Sequence, residues 1–352
     1  MKKINVLVTA ASRRVPLVRA FRDAVGKFGK GRVITTDINP LSPALYFGHR
    51  HHIVPLTTDR YYIPIIESIC DVEDVSLVIP TIDDELPIFG KARERLESVG
   101  IRVAISSERT GLICNDKYET YQFCLMNNIP VPVTTLAGDI DGRKFKYPAI
   151  VKPRFGRGSV NVFTVRSEDH LRLFSNYVPD ALIQDFVEGT EFTVDVLCNF
   201  SGKVISVVPR ERLVIRAGVS DKGITRKNKT VMDFAEDVAV RLQIAGAANI
   251  QCKWDGNRAT LIEVNPRFSG GIPLTLASGA DFPSWLLQMT AGIDMRSQVG
   301  KFQDGLAMMS FEESIFARES DLLMRETDRP RMLSRMRDIS SYVNSENWEN
   351  CD

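Results

Sequence analysis

The chain is 352 residues long, 44% hydrophobic and 25% charged, the profile of a globular protein with room for two or three domains. Its 45 basic and 44 acidic residues leave a net charge of +1, which offers no electrostatic footprint for nucleic acid or an anionic membrane. No apolar run reaches the roughly 18 residues of a membrane span, and MKKINVLVTA leads into a strand pattern rather than a signal-peptide core. A cytoplasmic protein is expected.

Residues 1–107 alternate strand and helix signals: INVLVTA, VPLVRAFRDAV, RVITTDI, YYIPIIESIC, VSLVIP, DELPIFGKARERLESV and RVAIS. Such alternation predicts a parallel sheet with crossover helices, a Rossmann-like α/β domain. The first turn, TAASRR, lacks the glycines that let backbone approach a pyrophosphate, so no NAD site is expected there. In GHRHHIV, His49 and His51 share a strand face and could hold a metal, with a solvated strand edge as the simpler reading. TIDDELPIFG places Asp83, Asp84 and Glu85 after a strand, where they could receive an amine or cap the next helix.

From residue 108 the texture becomes α+β with antiparallel character. A helix over NDKYETYQFCLMNN precedes the extended IPVPVT. Strand-rich segments follow, with helices near 167–177 and 230–244, enough chain for two lobes over 108–295. Residues 296–352 form a third region: GLAMMSFEESIFA reads as a strand, and the tail is dense in both charges. Cys70, Cys114, Cys124, Cys198, Cys252 and Cys351 form no CxxC pair and sit singly in mostly apolar segments, as reduced core cysteines do.

Four clusters carry chemistry if they converge. In IVKPRFGRGSVNV, Lys152 ends a strand and Phe155, Gly156, Gly158 and Ser159 belong to a loop whose glycines permit backbone amides to face phosphate; a plain hairpin turn accounts for the glycines equally well. IQDFVEGTEFTVDV offers a strand edge for a flat base, with Glu188 or Glu191 for a ribose hydroxyl. NIQCKWDGNRATLIEVNPRF reads as a hairpin turning at DGN, which brings Gln251 toward Glu263 and Asn265. These are hard oxygen donors suited to Mg²⁺, and Arg267 lies close by for phosphate. In NDK, Lys117 starts a helix.

Together these motifs resemble the ATP-grasp superfamily, in the branch of the carbamoyl phosphate synthase large subunit and similar carboxylate–amine ligases. The order agrees over residues 1 to about 295: NDK, VKPRFGRGS, QDFVEGTEFTVDV, VPRERLVIRAG and Q…EVNPR. The resemblance implies a Rossmann-like preATP-grasp domain followed by a two-lobed ATP-grasp domain that sandwiches ATP. It implies that Lys117 and Lys152 hold phosphates under a flap formed by 155–159. Gln184, Phe186 and Val187 match the adenine hinge and Glu191 the ribose acid. Gln251, Glu263 and Asn265 resemble Mg²⁺ ligands, with Mn²⁺ an allowed substitute, and Arg267 resembles the arginine that neutralises the transferring γ-phosphoryl group.

The implied reaction is activation of a carboxylate as an acyl phosphate, followed by attack of an amine and release of ADP and phosphate. Among Arg210, Arg212, Arg216, Lys222 and Arg226, Arg210 and Arg216 are favoured for the carboxylate. The expected partners are a small-molecule acid and amine, and a homodimer is compatible with the resemblance. The alternative is a carbamoyl phosphate synthase-like split subunit, or a non-catalytic ATP-binding module, that needs a partner.

Overall fold

A computed structural model describes residues 3–139, 145–216 and 218–318; the side chains of residues 216, 219 and 220 are outside that description. The chain divides into two compact units, one of residues 1–81, 92–103 and 312 onward, the other of residues 82–91 and 104–311.

The first unit holds a five-stranded parallel sheet formed by β1 (Asn5–Val8), β2 (Val33–Asp37), β3 (Arg50–Ile53), β4 (Val75–Ile79) and β5 (Arg102–Val103), in the order β3-β2-β1-β4-β5. β1 and β2 are buried at every position, so neither alternates buried with exposed residues, and β2 buries Thr35, Thr36 and Asp37 as well as Val33 and Ile34. α1 (Val15–Phe28) and α2 (Tyr62–Val72) are crossover helices. α1 buries Leu17, Val18, Phe21, Ala24 and Val25, a stripe at helical spacing. The turn after β1 takes left-handed backbone at Ala10 and Ser12, with φ of 45° and 46°, without any glycine. Asp37 holds it, accepting the backbone N–H of Ser12 at 2.7 Å.

β3 is an edge strand. His49 Nδ1 accepts the backbone N–H of Val33, and burial pushes its pKa down. His52 pairs with the buried Glu73 at 3.1 Å. Among the described residues no group of three or more His, Cys, Asp or Glu side chains is placed to hold a metal.

Residues 83–85 of the second unit form a 3-10 turn ahead of α3 (Leu86–Ser98), a helix whose residues from 92 onward belong to the first unit. α4 (Glu108–Asn115) and α5 (Lys117–Met126) follow in chain order. β6 (Thr134–Leu136), β7 (Ala149–Pro153), β8 (Phe163–Val165) and β9 (Ala181–Asp185) pair antiparallel in the order β6-β9-β7-β8. α6 (Glu168–Tyr177) packs on this sheet, where Ala149, Val151, Val165, Leu171 and Ile183 form a small core.

The larger sheet runs β14-β13-β10-β11-β12-β15, all antiparallel. Its strands are β10 (Thr190–Cys198), β11 (Val204–Arg216), β12 (Val219–Thr225), β13 (Gly246–Trp254), β14 (Ala259–Asn265) and β15 (Ala307–Met309). α7 (Lys229–Arg241) presents Val231, Ala235, Val238 and Ala239 to one sheet face, joining Phe192, Val194, Val196 and Ile250 in the core. Each fully buried valine there contributes about 1.5–3 kcal/mol. The same core takes in Cys114 of α4 and Cys124 of α5. α8 (Ile272–Ala277) and α9 (Phe282–Thr290) complete the unit.

The helix over 108–115 is absent from the sequence expectation because its apolar residues are few and Gly111 lies inside it. The five described cysteines are all buried and free. Burial pushes Cys70, Cys124, Cys198 and Cys252 up to about 12; Cys351 and the charged tail from residue 319 lie outside the described residues. Among the described residues no helix is long and apolar enough to cross a membrane.

Candidate nucleotide site

Side chains on a strand alternate between faces, and the larger sheet sorts them by polarity. On β10, Phe192, Val194 and Val196 enter the core, whereas Glu191, Thr193 and Asp195 share the opposite face. Register carries that polar face across the sheet. Arg210, Thr193, Gln251 and Glu263 form one row over β11, β10, β13 and β14; Asp195, Asn249 and Asn265 form the next. Glu263 and Asn265 of EVNPR thus belong to a face built by four strands, and Arg267 follows just beyond the end of β14.

Lys152 approaches from the smaller sheet. Ala149 and Val151 of β7 point into that sheet's core, so Ile150 and Lys152 point the other way. Lys152 Nζ donates to Gln184 Oε1 at 2.9 Å, and Gln184 Nε2 donates to Thr134 Oγ1 at 2.9 Å. Lys152 is 6% exposed. Burial lowers its pKa, Glu263 opposes that and Lys117 adds to it, leaving the value at about 8. Gln184, assigned by resemblance to the adenine hinge, therefore uses its side chain to hold Lys152. Thr134, the third member of this chain, carries no motif signal.

Lys117 is positioned by its neighbour. Asp116 caps α5, accepting the backbone N–H groups of Tyr118 and Glu119, so Lys117 is the first helical residue. Arg154 grips both oxygens of Asp116 at 2.6–2.8 Å. Burial pushes the Asp116 carboxyl up, but Arg154 and the two amides outweigh it and hold the carboxyl below the usual carboxylate range. Lys117 Nζ reaches the Gly156 carbonyl at 2.7 Å. Gly156 and Gly158 have φ of 112° and 69°, conformations that L side chains rarely adopt. Arg157 between them pairs with Asp84 at 2.7 Å.

A cavity of about 290 Å³ lies between the polar face and β7–β9. Its lining brings together Lys117, Lys152, Gly156, Gly158, Ser159, Gln184, Phe186, Val187, Glu191, Gln251 and Glu263. Arg212, Ile215 and Lys253 also line it. Glu191 is already engaged by Arg212 at 2.6 Å and Lys253 at 3.3 Å, whereas Glu188 is solvent-exposed. A second cavity of about 200 Å³ shares Lys117, Gly156, Arg157 and Glu263 with the first and adds Phe155, Asn265, Asp83 and Asp84.

Glu263 therefore stands on the wall common to both cavities, and its carboxylate makes no hydrogen bond among the described residues. A partly buried carboxylate without a donor, flanked by the amide oxygens of Gln251 and Asn265, is a donor set that fits Mg²⁺. Arg267 donates through Nη2 to Asn265 Oδ1 at 3.1 Å and to Asp83 Oδ2 at 2.9 Å. That arginine is within reach of the second cavity, where Asn265 and Asp83 are lining residues.

Two expected substrate residues stand differently. Arg210 is fully buried, lines neither cavity and is paired with Asp195 at 2.8 Å. A charge in a strand otherwise apolar on one side needs a counterion, and Arg210 finds it in the sheet rather than in a ligand. Arg216 ends β11 and its side chain lies outside the described residues. Lys222 is exposed on β12, and Arg226 pairs with Glu211 at 2.7 Å. Asp195 was legible in principle as the one charge among the central residues of TVDVLC, on the Glu191 face.

Comparison with known proteins agrees with this architecture. Residues 177–314 match the model for ATP-grasp in the biosynthetic pathway with Ter operon, and residues 6–104 match the PylC-like N-terminal domain. The carbamoyl phosphate synthase large chain of Campylobacter jejuni is 25% identical over 248 residues, covering 64% of this chain and 22% of that protein. The corresponding chain of Archaeoglobus fulgidus is 26% identical over 291 residues, covering 74% and 26%. The chain thus spans about a quarter of the length of these relatives. Among solved structures, the L-amino acid ligase of Bacillus licheniformis superposes with a TM-score of 0.67 at 20% identity, covering 84% of this chain and 76% of that one. The biotin carboxylase domain of Hydrogenobacter thermophilus 2-oxoglutarate carboxylase, solved with MgADP and bicarbonate, gives 0.70 at 15% identity over 87% and 74%. Residues 177–314 thus match an ATP-grasp family model, residues 6–104 match a PylC-like N-terminal domain, and the chain is similar to carbamoyl phosphate synthase large chains.

Proposed function

We propose that this protein is an ADP-forming ligase that activates a small-molecule carboxylate as an acyl phosphate and couples it to an amine. The observation that carries the proposal is the meeting of Lys117, Lys152 and Glu263 on one 290 Å³ cavity, with Glu263 left without a hydrogen-bond donor. Lys152 and Lys117 bind the phosphates of ATP, the 155–159 loop covers them, and Phe186 and Val187 line the base. Glu263, Gln251 and Asn265 hold Mg²⁺, which when bound neutralises phosphate charge. Arg267 meets the transferring phosphoryl group.

The carboxylate oxygen forms a bond to the γ-phosphorus as the bond to the bridging oxygen breaks, and ADP leaves with that electron pair. The amine nitrogen then bonds to the acyl carbon, phosphate leaves, and the nitrogen loses its proton to solvent. Phosphoryl transfer of this kind depends on positioning and charge neutralisation rather than on a covalent protein nucleophile. Closure of the loop keeps water from the acyl phosphate.

A panel of amino acids and small acids, each paired with amines and read by ADP release with MgATP, tests the proposal. Mg²⁺-dependent ADP release stimulated by one acid–amine pair is expected. The similarity to carbamoyl phosphate synthase large chains, over about a quarter of their length, favours one second reading, a subunit that turns over only with a partner. MgATP binding without ADP release across the panel would select it.

A further inference from the structure

We propose that Asp195 and Arg210 form a buried positioning pair that fixes the segment carrying Arg267. The inference rests on the reading of Arg267 as the group that meets the transferring phosphoryl. Arg210 Nε donates to Asp195 Oδ2 at 2.8 Å and Nη2 to Oδ1 at 3.3 Å, with both side chains 1% exposed. No substrate reaches either one.

What the pair does touch is the chain that follows Arg267. Arg210 Nη2 donates to Ser269 Oγ at 3.0 Å, and Thr275 Oγ1 donates to Asp195 Oδ2 at 2.5 Å. The segment is therefore pinned at two points, one on each member of the pair. Between them lies Gly271, where a Cβ would sit 2.3 Å from Arg210 Nη1 and 3.0 Å from Cζ. The guanidinium thus lies against bare backbone, and Nη1 itself has no hydrogen-bond partner.

A pair this deeply buried is weak evidence for stability, since desolvation of two ions offsets their attraction; fixing a unique register is its better-attested use. Here the register reaches Arg267 in one step. Arg267 Nη1 donates to the carbonyl of Phe268 at 3.1 Å, and Phe268 adjoins Ser269, the first pin. Asn249 links the pair to the other side of the same arginine: its Nδ2 lies 3.4 Å from Asp195 Oδ1, and it is the register partner of Asn265, which accepts from Arg267 Nη2. Displacing the 268–275 segment therefore displaces a guanidinium that must match a transition state, and small misplacements at a distance from the chemistry are costly.

The test removes pins without leaving an unpaired charge. Thr275→Val and Ser269→Ala are compared with the parent for ADP release from MgATP, resolved into kcat and the KM for MgATP, alongside melting temperature. The proposal expects kcat to fall about tenfold in Thr275→Val, with KM for MgATP unchanged within about twofold, a smaller effect of the same kind in Ser269→Ala, and recovery in Thr275→Ser, which restores the hydroxyl. Gly271→Ala, whose methyl intrudes on Arg210, should behave like Thr275→Val. A parental kcat in both Thr275→Val and Ser269→Ala overturns the proposal. A lower melting temperature with kcat unchanged shows a structural role only and also overturns it. Arg267→Ala, measured in the same series, separates the two readings: if it loses kcat while the pin variants do not, the pair is misassigned and the function stands. If Arg267→Ala matches the parent, the assignment of Arg267 fails and the pair's role with it.

Discussion

Arg267 and Asp83, 184 residues apart, are joined side-on: Nε and Nη2 of the arginine both donate to Oδ2 of the aspartate, at 3.2 and 2.9 Å. The side chains are 13% and 11% exposed, so the pair is partly desolvated at the edge of the second cavity. Asp83 holds the guanidinium by one edge and leaves Nη1 turned to the Phe268 carbonyl. Neither a helix cap nor an amine receptor is needed to account for this aspartate.

That arrangement predicts a division of labour. Arg267→Ala should lower kcat by at least about a hundredfold, the usual scale for one preorganised electrostatic donor. Asp83→Ala leaves the arginine in place but loosens it, and should lower kcat by about tenfold. Lys152→Ala removes a group that meets phosphates in the ground state and should chiefly raise the KM for ATP. Steady-state ADP release on the three variants checks the order; parental kcat in Arg267→Ala would contradict it.

Lys152 makes ATP binding depend on pH. Burial sets its folded pKa at about 8, below the ordinary lysine value of 10.5. The unfolded chain therefore binds more protons between those values, and raising the pH from about 8 to 10.5 relieves the cost of the buried ammonium, so its contribution to stability rises over that window. Phosphate favours the charged form. MgATP binding above pH 8 should accordingly take up a proton, seen by calorimetry in buffers of different ionisation enthalpy, and Lys152→Met should abolish the uptake.

Asp84 tethers the 155–159 loop weakly. Its bond to Arg157 is 2.7 Å long, but both side chains are 48% exposed, so the pair contributes no more than about 1 kcal/mol. Asp84→Asn should leave the melting temperature nearly unchanged while opening the loop. Tryptic cleavage after Arg157 should become faster in the variant, and MgATP should suppress it in both proteins. Equal cleavage rates would show that the ion pair does not restrain the loop.

Many strands and helices were legible in the sequence because their signals are periodic, whereas the unit boundaries, with residues 82–91 grouped with 104–311, differ from the expected division at 107 and 295. β1 carries the apolar run Val6–Val8, α1 and α7 carry stripes at helical spacing, and DGN turns a hairpin whose register sets Gln251 opposite Glu263. Motif order located most of the cavity lining. What escaped it were contacts between distant segments. Asp83 meets Arg267 across 184 residues, and Thr134 supports Gln184 across 50. The role of Arg210 was misjudged for the same reason. Local sequence shows a cluster of cations, but only the pairing of β10 with β11 places Asp195 beside that one and withdraws it from the cavity.

The central claim is that Lys152, Lys117 and Glu263 form a site for ATP with Mg²⁺, and the most direct test is thermal unfolding of the parent and Glu263→Gln with ATP, with and without Mg²⁺. A ligand held only by the folded state stabilises it by about 2.7 kcal/mol at one hundred times its Kd. A clear upward shift is expected for the parent with MgATP, a smaller one without Mg²⁺, and loss of the Mg²⁺-dependent part in Glu263→Gln, whose side chain keeps its volume and loses its charge. An unchanged melting temperature of the parent at millimolar MgATP would contradict the site, and a full Mg²⁺-dependent shift in Glu263→Gln would contradict the role given to that carboxylate.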